Sequence, residues 1–413
     1  MTLQNCRGCS ASELVEILDL GFAPPSNSLL KKEDLSKGEM QYPLVLLFCQ
    51  ECKLVQTRDF HSGETLFASD YPYLSSTSTT WVKHAHNLVD SVITEFSLNQ
   101  NSLVAEIASN DGYLLERLVQ RGIPAYGIEP TKLAAGISER KGHYVYNCFL
   151  TLELASQIRN ERGSADVVIA NNVFAHVPEL QTFTEATKML LSEQGVLIIE
   201  VQYFGQLLEQ VLFDTIYHEH YSYFSLTSIR NLLEKYRLGV FRIDYLPTHG
   251  GSIRIYAKNN SLTSDFDIQK SAVVDLEAKA IDLKSLLKFQ ESVNLRERNI
   301  REFFWNQKSA GNIVAGLGAA AKGNTLINFL KLGKKDIHYV FDSAISKHYR
   351  FLPGSHIPVK PLKSICEFGE INTLVVFPWN ISNELAQEVL MLKTSRPSIF
   401  RLMPEIQRIS YYS

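Results

Sequence analysis

Residues 217–225, YHEHYSYFS, crowd two histidines, a glutamate and three tyrosines into nine positions. Such a stretch can be a metal site, an acid–base centre or a polar strand. Zinc hydrolases place two histidines four apart on a helix, as H-E-x-x-H. His218 and His220 are only two apart. On a strand they would share one face and Glu219 would take the other. No third ligand stands nearby in the sequence. The spacing favours proton chemistry over a metal. Histidine titrates near neutral pH, and an adjacent carboxylate can tune and orient it.

Metal has a better home near the N-terminus. Cys6 and Cys9, and again Cys49 and Cys52, form two C-x-x-C knuckles among only six cysteines. Four thiolates suit tetrahedral Zn2+ and leave no position for water. The expected zinc is therefore structural. In a reducing compartment such pairs read as metal ligands rather than disulfides. Residues 21–27, GFAPPSN, form a turn-rich loop between the knuckles. Residues 70–78, DYPYLSSTS, cannot be regular helix around Pro72. They are either a linker or a loop that turns Tyr and Ser hydroxyls toward a polar ligand. A helix is expected over 81–96.

The groups that do chemistry need a frame, and the middle of the chain supplies one. Apolar runs at 102–108, 125–130, 166–172 and 195–200 alternate with helical stretches. That alternation predicts a parallel, doubly wound sheet, which binds ligands beyond the carboxyl ends of its strands. Three strand ends suit an adenosyl ligand. Ala108 leads into Asn110-Asp111-Gly112, a tight turn at a helix start. Glu129 can accept from both ribose hydroxyls, and Asn171-Asn172 end the fourth strand. A dinucleotide fingerprint would need G-x-G-x-x-G after the first strand. The poorer turn suits a nucleoside without phosphates, S-adenosylmethionine (SAM). His176 lies just past Asn172 and is either a second candidate base or a buried structural histidine.

Further along, Gly250-Gly251 in the segment THGGSIR separates two β-rich runs and reads as a hairpin turn. Residues 262–308 have the charge and spacing of amphipathic connecting helices. A second α/β unit opens at 312–325, NIVAGLGAAAKGNT. Its Gly316-x-Gly318-x-x-Ala321 follows a strand and precedes a helix, with Asp342 ending the next strand. That pattern leaves an NAD(P)-dependent oxidoreductase open as an alternative. The order Lys322-Gly323-Asn324-Thr325 is not a Walker loop. Lys322 beside a helix N-terminus could meet a phosphate.

The segments VAEIASNDGYLL, GIEP and IANNVFAHV resemble the SAM-binding segments of sugar C-methyltransferases that act on nucleotide-linked keto-sugars. That family typically has Gly where this chain has Ala108. The resemblance runs in order across nearly the whole chain. It implies that His220 is the general base, with Tyr217 and Glu219 orienting the substrate or stabilising an enolate. It gives His218 no role. Tyr73 matches an active-site Tyr of the family, and His249 in THGGS a substrate contact. The segment at 316–325 resembles one in a Rossmann-like domain that helps bind the sugar nucleotide and runs no redox chemistry. This points to Lys322 and Asn324, and the similar PGSHIPV loop to His356. Cofactors implied are SAM and structural Zn2+, with a nucleotide-diphospho keto-deoxysugar methylated at carbon 3.

The expected architecture is α/β: a doubly wound SAM-dependent methyltransferase sheet flanked by a small zinc-binding module and a C-terminal Rossmann-like domain. The boundaries read as 1–70, 71–260 (with a late β-hairpin) and 261–413. A net charge of −3 over 413 residues provides no basic field for nucleic acid. No run approaches the roughly 20 apolar residues that span a bilayer. The expectation is a cytoplasmic monomer. A non-catalytic sugar-nucleotide binding protein is the remaining alternative.

Overall fold

The structure is a computed structural model that describes residues 5–58, 74–77, 79–260, 277, 280–392 and 396–410. Three sheets carry the chain. The first begins with β1 (Leu14–Ala23), β2 (Tyr42–Cys49) and β3 (Val55–Thr57), antiparallel neighbours. One cysteine knuckle precedes β1, and the other is the turn between β2 and β3.

The second sheet holds β4 (Val104–Ile107), β5 (Ala125–Ile128), β6 (Val145–Tyr146), β7 (Ala165–Asn171) and β8 (Leu191–Gln202). The chain then leaves to add β9 (Ser222–Tyr223) to the first sheet, where it pairs with β3. It returns with the hairpin β10 (Leu238–Leu246) and β11 (Ser252–Asn259). The seven strands run β10-β11-β8-β7-β4-β5-β6. Strands β4 to β8 are parallel, and β11 enters antiparallel beside β8. The order reverses between β4 and β7, which places the ligand crevice at their carboxyl ends. Val104, Ala105, Val167, Val168 and Ile169 are wholly buried, as strands covered on both faces must be.

The third sheet comprises β12 (Val314–Leu317), β13 (Val340–Asp342), β14 (Val359–Pro361), β15 (Thr373–Val376), β16 (Ser398–Arg401) and β17 (Gln407–Ile409). Its order is β14-β13-β12-β15-β16-β17, parallel except for β17. Numbered within the unit this is 3-2-1-4-5-6, the order of dinucleotide-binding folds. A helix over Phe289–Ser309 leads into it and buries Phe289, Val293, Ile300, Phe303 and Phe304, a stripe at helical spacing. One apolar core joins Leu18, Leu46 and Phe48 of the first sheet to Phe213, Phe304, Leu326 and Val340. Among the described residues no helix is long and apolar enough to cross a membrane.

Candidate active site

The four knuckle cysteines converge. All four Sγ atoms lie within 4.8 Å of one another, with Cys6–Cys52 at 3.4 Å and Cys9–Cys49 at 3.5 Å. A tetrahedron of sulfurs about 2.3 Å from zinc has edges of roughly 3.8 Å, so the cluster fits the ion. The two knuckles share one backbone pattern. The N–H of Cys6 donates to Ala11 O and that of Cys49 to Leu54 O. Ser10 and Lys53, each just after the second cysteine, both sit at positive φ.

The cofactor end of the second sheet is built by the turn after β4. Ala108 adopts φ 55° and Asn110 φ 49°. Asn tolerates this region, whereas Ala does so at a cost of roughly 1–2 kcal/mol. Gly127 on β5 is demanded by contact: a Cβ there would come within 2.2 Å of Ser109 Oγ. Glu129 ends β5 as expected, but its carboxylate also braces the turn. Oε2 accepts from the Asn110 N–H at 2.9 Å and Oε1 from the Thr131 N–H at 2.8 Å. Burial raises its pKa despite these donors.

Around this turn lie buried polar atoms with no hydrogen-bond partner among the described residues. They are Glu106 Oε2, Ser109 Oγ, Asp111 Oδ1, both amide atoms of Asn171, Asn172 Nδ2 and Gln202 Nε2. Orphaned polar atoms this dense ask for a polar ligand. Burial pushes the Glu106 carboxyl well above its ordinary value, and its neighbours Glu129 and Asp111 push further. An acidic, unsatisfied cradle fits a cofactor that carries a sulfonium and an ammonium. The end of DYPYLSSTS closes over it. The Ser75 N–H donates to Asn110 Oδ1 at 2.9 Å, and the Ser76 hydroxyl donates to Asp111. Ser75 and Ser76 are thus tied to the turn after β4. Tyr73 lies outside the described residues.

Residues 217–220 are a turn, not a strand. The His220 N–H donates to Tyr217 O at 3.0 Å, and β9 begins only at Ser222. The two histidines therefore do not share a face. His218 is buried against Tyr42, with Nε2 3.3 Å from its carbonyl, and burial lowers its pKa to about 4. His220 turns the other way, its Nε2 2.7 Å from the Tyr217 hydroxyl. His176 meets it edge-on, ring centroids 4.6 Å apart. His176 Nδ1 lies 2.7 Å from Glu219 O. A carbonyl only accepts, so Nδ1 carries the hydrogen and Nε2 the lone pair. Burial brings His176 down to about 4. Glu219 is buried, which raises its pKa; Oε1 accepts from the Asn27 N–H at 3.0 Å. Its Oε2 has no partner among the described residues. The loop GFAPPSN thus leans on the acid–base turn.

The third sheet brings one helix N-terminus to the same place. Thr325 donates to Ile216 O at 2.9 Å and lies 3.4 Å from the Ser26 hydroxyl. Asn324 is buried with neither amide atom partnered among the described residues. Lys322 Nζ donates to Asn380 Oδ1 at 2.9 Å and sits over the Trp379 ring. Trp379 Nε1 donates to Asp214 Oδ2 at 2.8 Å. Burial lifts Asp214 to about 6 against the pull of Lys322. Trp379 also packs on Gly250, where a Cβ would lie 2.1 Å from the ring. The His249 side chain lies outside the described residues. His356 faces elsewhere, 3.2 Å from Glu39 Oε2.

The glycines of the segment 316–325 have a packing role. A Cβ on Gly316 would lie 2.4 Å from the Phe377 ring, and one on Gly323 2.6 Å from its side chain. Asp342 accepts from the Ala319 and Ala344 N–H groups, both at 2.7 Å. Asp342 thus braces its own loops, as Glu129 does in the second sheet.

Two groups escaped the sequence reading. Glu200, wholly buried at the end of β8, accepts from Arg254 NH2 at 2.7 Å and from Thr248 Oγ1 at 3.2 Å, and His84 Nε2 lies 2.9 Å away. Desolvation alone would raise its pKa; His84 and Arg254 bring it below the ordinary value. This network fixes the THGGS turn. Asp214 is the other. The only sequence signal for either was a carboxylate at an element end.

Family models match three stretches of the chain: a zinc binding domain over residues 6–67, a methyltransferase domain over 81–240 and a C-methyltransferase C-terminal domain over 247–399. The C-methyltransferase NovU of Streptomyces niveus is 31% identical over 361 residues, spanning 86% of this chain and 85% of that one. Among solved structures, magnesium protoporphyrin IX methyltransferase from Synechocystis with bound SAM is 17% identical. It has a TM-score of 0.36, covering 49% of this chain and 100% of that one. A SAM-dependent methyltransferase from Anabaena variabilis is 16% identical, with a TM-score of 0.37 and coverage of 49% and 96%.

Proposed function

Because the chain belongs to the C-methyltransferase family and takes its methyl group from SAM, we propose that it methylates the carbon beside the ketone of a nucleotide-diphospho keto-deoxysugar, at carbon 3. The observation that carries this reading is the 2.7 Å contact between the Tyr217 hydroxyl and His220 Nε2, beside the cofactor cradle.

A ketone acidifies the C–H next to it. His220 Nε2 takes that proton and leaves the electron pair as an enolate. The Tyr217 hydroxyl, released as Nε2 becomes protonated, donates to the enolate oxygen. Bound SAM supplies an electrophilic methyl on a sulfonium. The enolate carbon would take that methyl as its bond to sulfur breaks and S-adenosylhomocysteine leaves, and the proton on His220 passes to solvent. His176, held near 4, is too weak a base to serve a carbon acid well. Its task is to fix the Glu219 carbonyl and pack against His220. Glu219 Oε2 faces the sugar. Asn324 and Lys322, at a helix N-terminus, receive the diphosphate. His249 and Tyr73 contact the substrate, while His356 braces its own loop through Glu39.

Labelled SAM incubated with a panel of keto-deoxysugar nucleotides tests this. Label should appear in a sugar nucleotide at the carbon beside the ketone. Label in none of them would end the sugar reading.

A further inference from the structure

The four-cysteine cluster lies far in sequence from the acid–base turn, yet Arg7 beside it reaches the residue that follows His220. Arg7 stands between the ligands Cys6 and Cys9 and is buried. Its backbone N–H donates to Gln56 Oε1 at 2.8 Å. Its NH1 donates to Thr57 O at 2.9 Å and to Tyr221 O at 3.4 Å. The guanidinium lies over the Tyr221 ring, 5.0 Å from the centroid, a favourable stack for a desolvated cation.

Tyr221 is the residue after His220 and is wholly buried. Its N–H donates to Ala175 O at 2.7 Å, beside His176, and its carbonyl accepts from the Thr57 N–H at 3.0 Å. Strand β3, which starts three residues after Cys52, pairs Val55 with Tyr223 and Gln56 with Ser222. A second tie runs through the helix after β9, where Asn231 donates to Cys52 O at 3.1 Å and Lys235 to Gly8 O at 2.8 Å. The turn that carries His220 thus hangs from β9, and β9 from the two knuckles.

We propose that Arg7 is a positioning residue for proton abstraction. It transmits the geometry of the zinc knuckle to Tyr221, and so sets His220 against His176. Metal loss then disables proton abstraction before it opens the SAM-binding sheet. The proposal's kinetic side rests on the acid–base reading above; its structural side does not.

Full-length, zinc-replete protein carrying Arg7→Met, with Arg7→Lys beside it, tests this by hydrogen exchange and kinetics together. In Arg7→Met, amides of residues 220–224 should exchange at least about tenfold faster, while those of 196–201 stay at the wild-type rate. Zinc content should remain one per chain. Turnover should fall roughly 10–100-fold, the loss expected from removing a charged donor, with KM for SAM unchanged. Arg7→Lys should recover part of both. Chelating zinc from the wild type should accelerate 220–224 before 196–201, and this arm decides if Arg7→Met itself loses metal. Unchanged exchange at 220–224 in zinc-replete Arg7→Met, or simultaneous opening of both segments on chelation, overturns the proposal. The exchange readout needs no sugar substrate, so it stands even if the acceptor proves to be another ketone.

Discussion

The second and third sheets share a plan: parallel strands, an order that reverses once, and a turn at a helix start beside the reversal. They differ in how that place is filled. In the second sheet, Glu106, Ser109, Asp111, Asn171 and Asn172 present buried atoms without partners among the described residues. In the third sheet a ring fills part of the equivalent space, beside the unpartnered amide of Asn324. Phe377 presses on Gly316 and Gly323, and Asp342 is held by two backbone N–H groups. The same topology thus clusters unpartnered polar atoms at one strand-end turn, and in the other leaves Asn324 unpartnered beside a ring packed on the glycines. Fold order locates a crevice; the side chains at its mouth decide whether anything enters.

The largest effect on cofactor binding should come from crowding the turn after β4. Gly127→Ala drives a methyl into Ser109 and displaces the turn, so SAM affinity should fall at least about tenfold by calorimetry, about 1.4 kcal/mol or more. Removing the ring in the third sheet should cost stability instead. Phe377→Ala removes a buried aromatic, worth about 3–5 kcal/mol in denaturant titration. SAM affinity should hold.

The two sheets also differ in charge. Glu106 and Glu129 have raised pKa values through burial. A raised acid binds its proton more tightly folded than unfolded, so cofactor-free stability falls as pH rises above the usual carboxyl range. The cationic cofactor favours the ionised forms. The rise in Tm on adding SAM should therefore be larger at pH 7 than at pH 5.5, and Glu106→Gln should flatten that difference. The smallest effect is Ala108→Gly. It relieves a positive φ and should raise stability by about 1 kcal/mol, with no loss of methyl transfer.

Much of this was legible in the sequence. Apolar runs and strand-end residues gave the SAM sheet, and two C-x-x-C pairs the metal cluster, because both signals are local. The acid–base turn was harder. Alternating polar and aromatic residues imitate a strand, but the Tyr217–His220 hydrogen bond turns the backbone one step before β9 begins. The glycines at 316–323 look like a phosphate loop because close approach to a ring and to a phosphate demand the same missing Cβ. Here Phe377, some 60 residues on, supplies the ring. The link from Arg7 to Tyr221 spans 214 positions, and nothing local announces it.

The central claim is that His220 makes the enolate. In D2O, with S-adenosylhomocysteine in place of SAM, the wild type should exchange the hydrogen beside the ketone of the proposed keto-sugar nucleotide for deuterium, a mass gain read without methyl transfer. His176→Gln should retain exchange at a reduced rate. His220→Ala should show none while binding the cofactor normally. Exchange at the wild-type rate in His220→Ala would contradict the account.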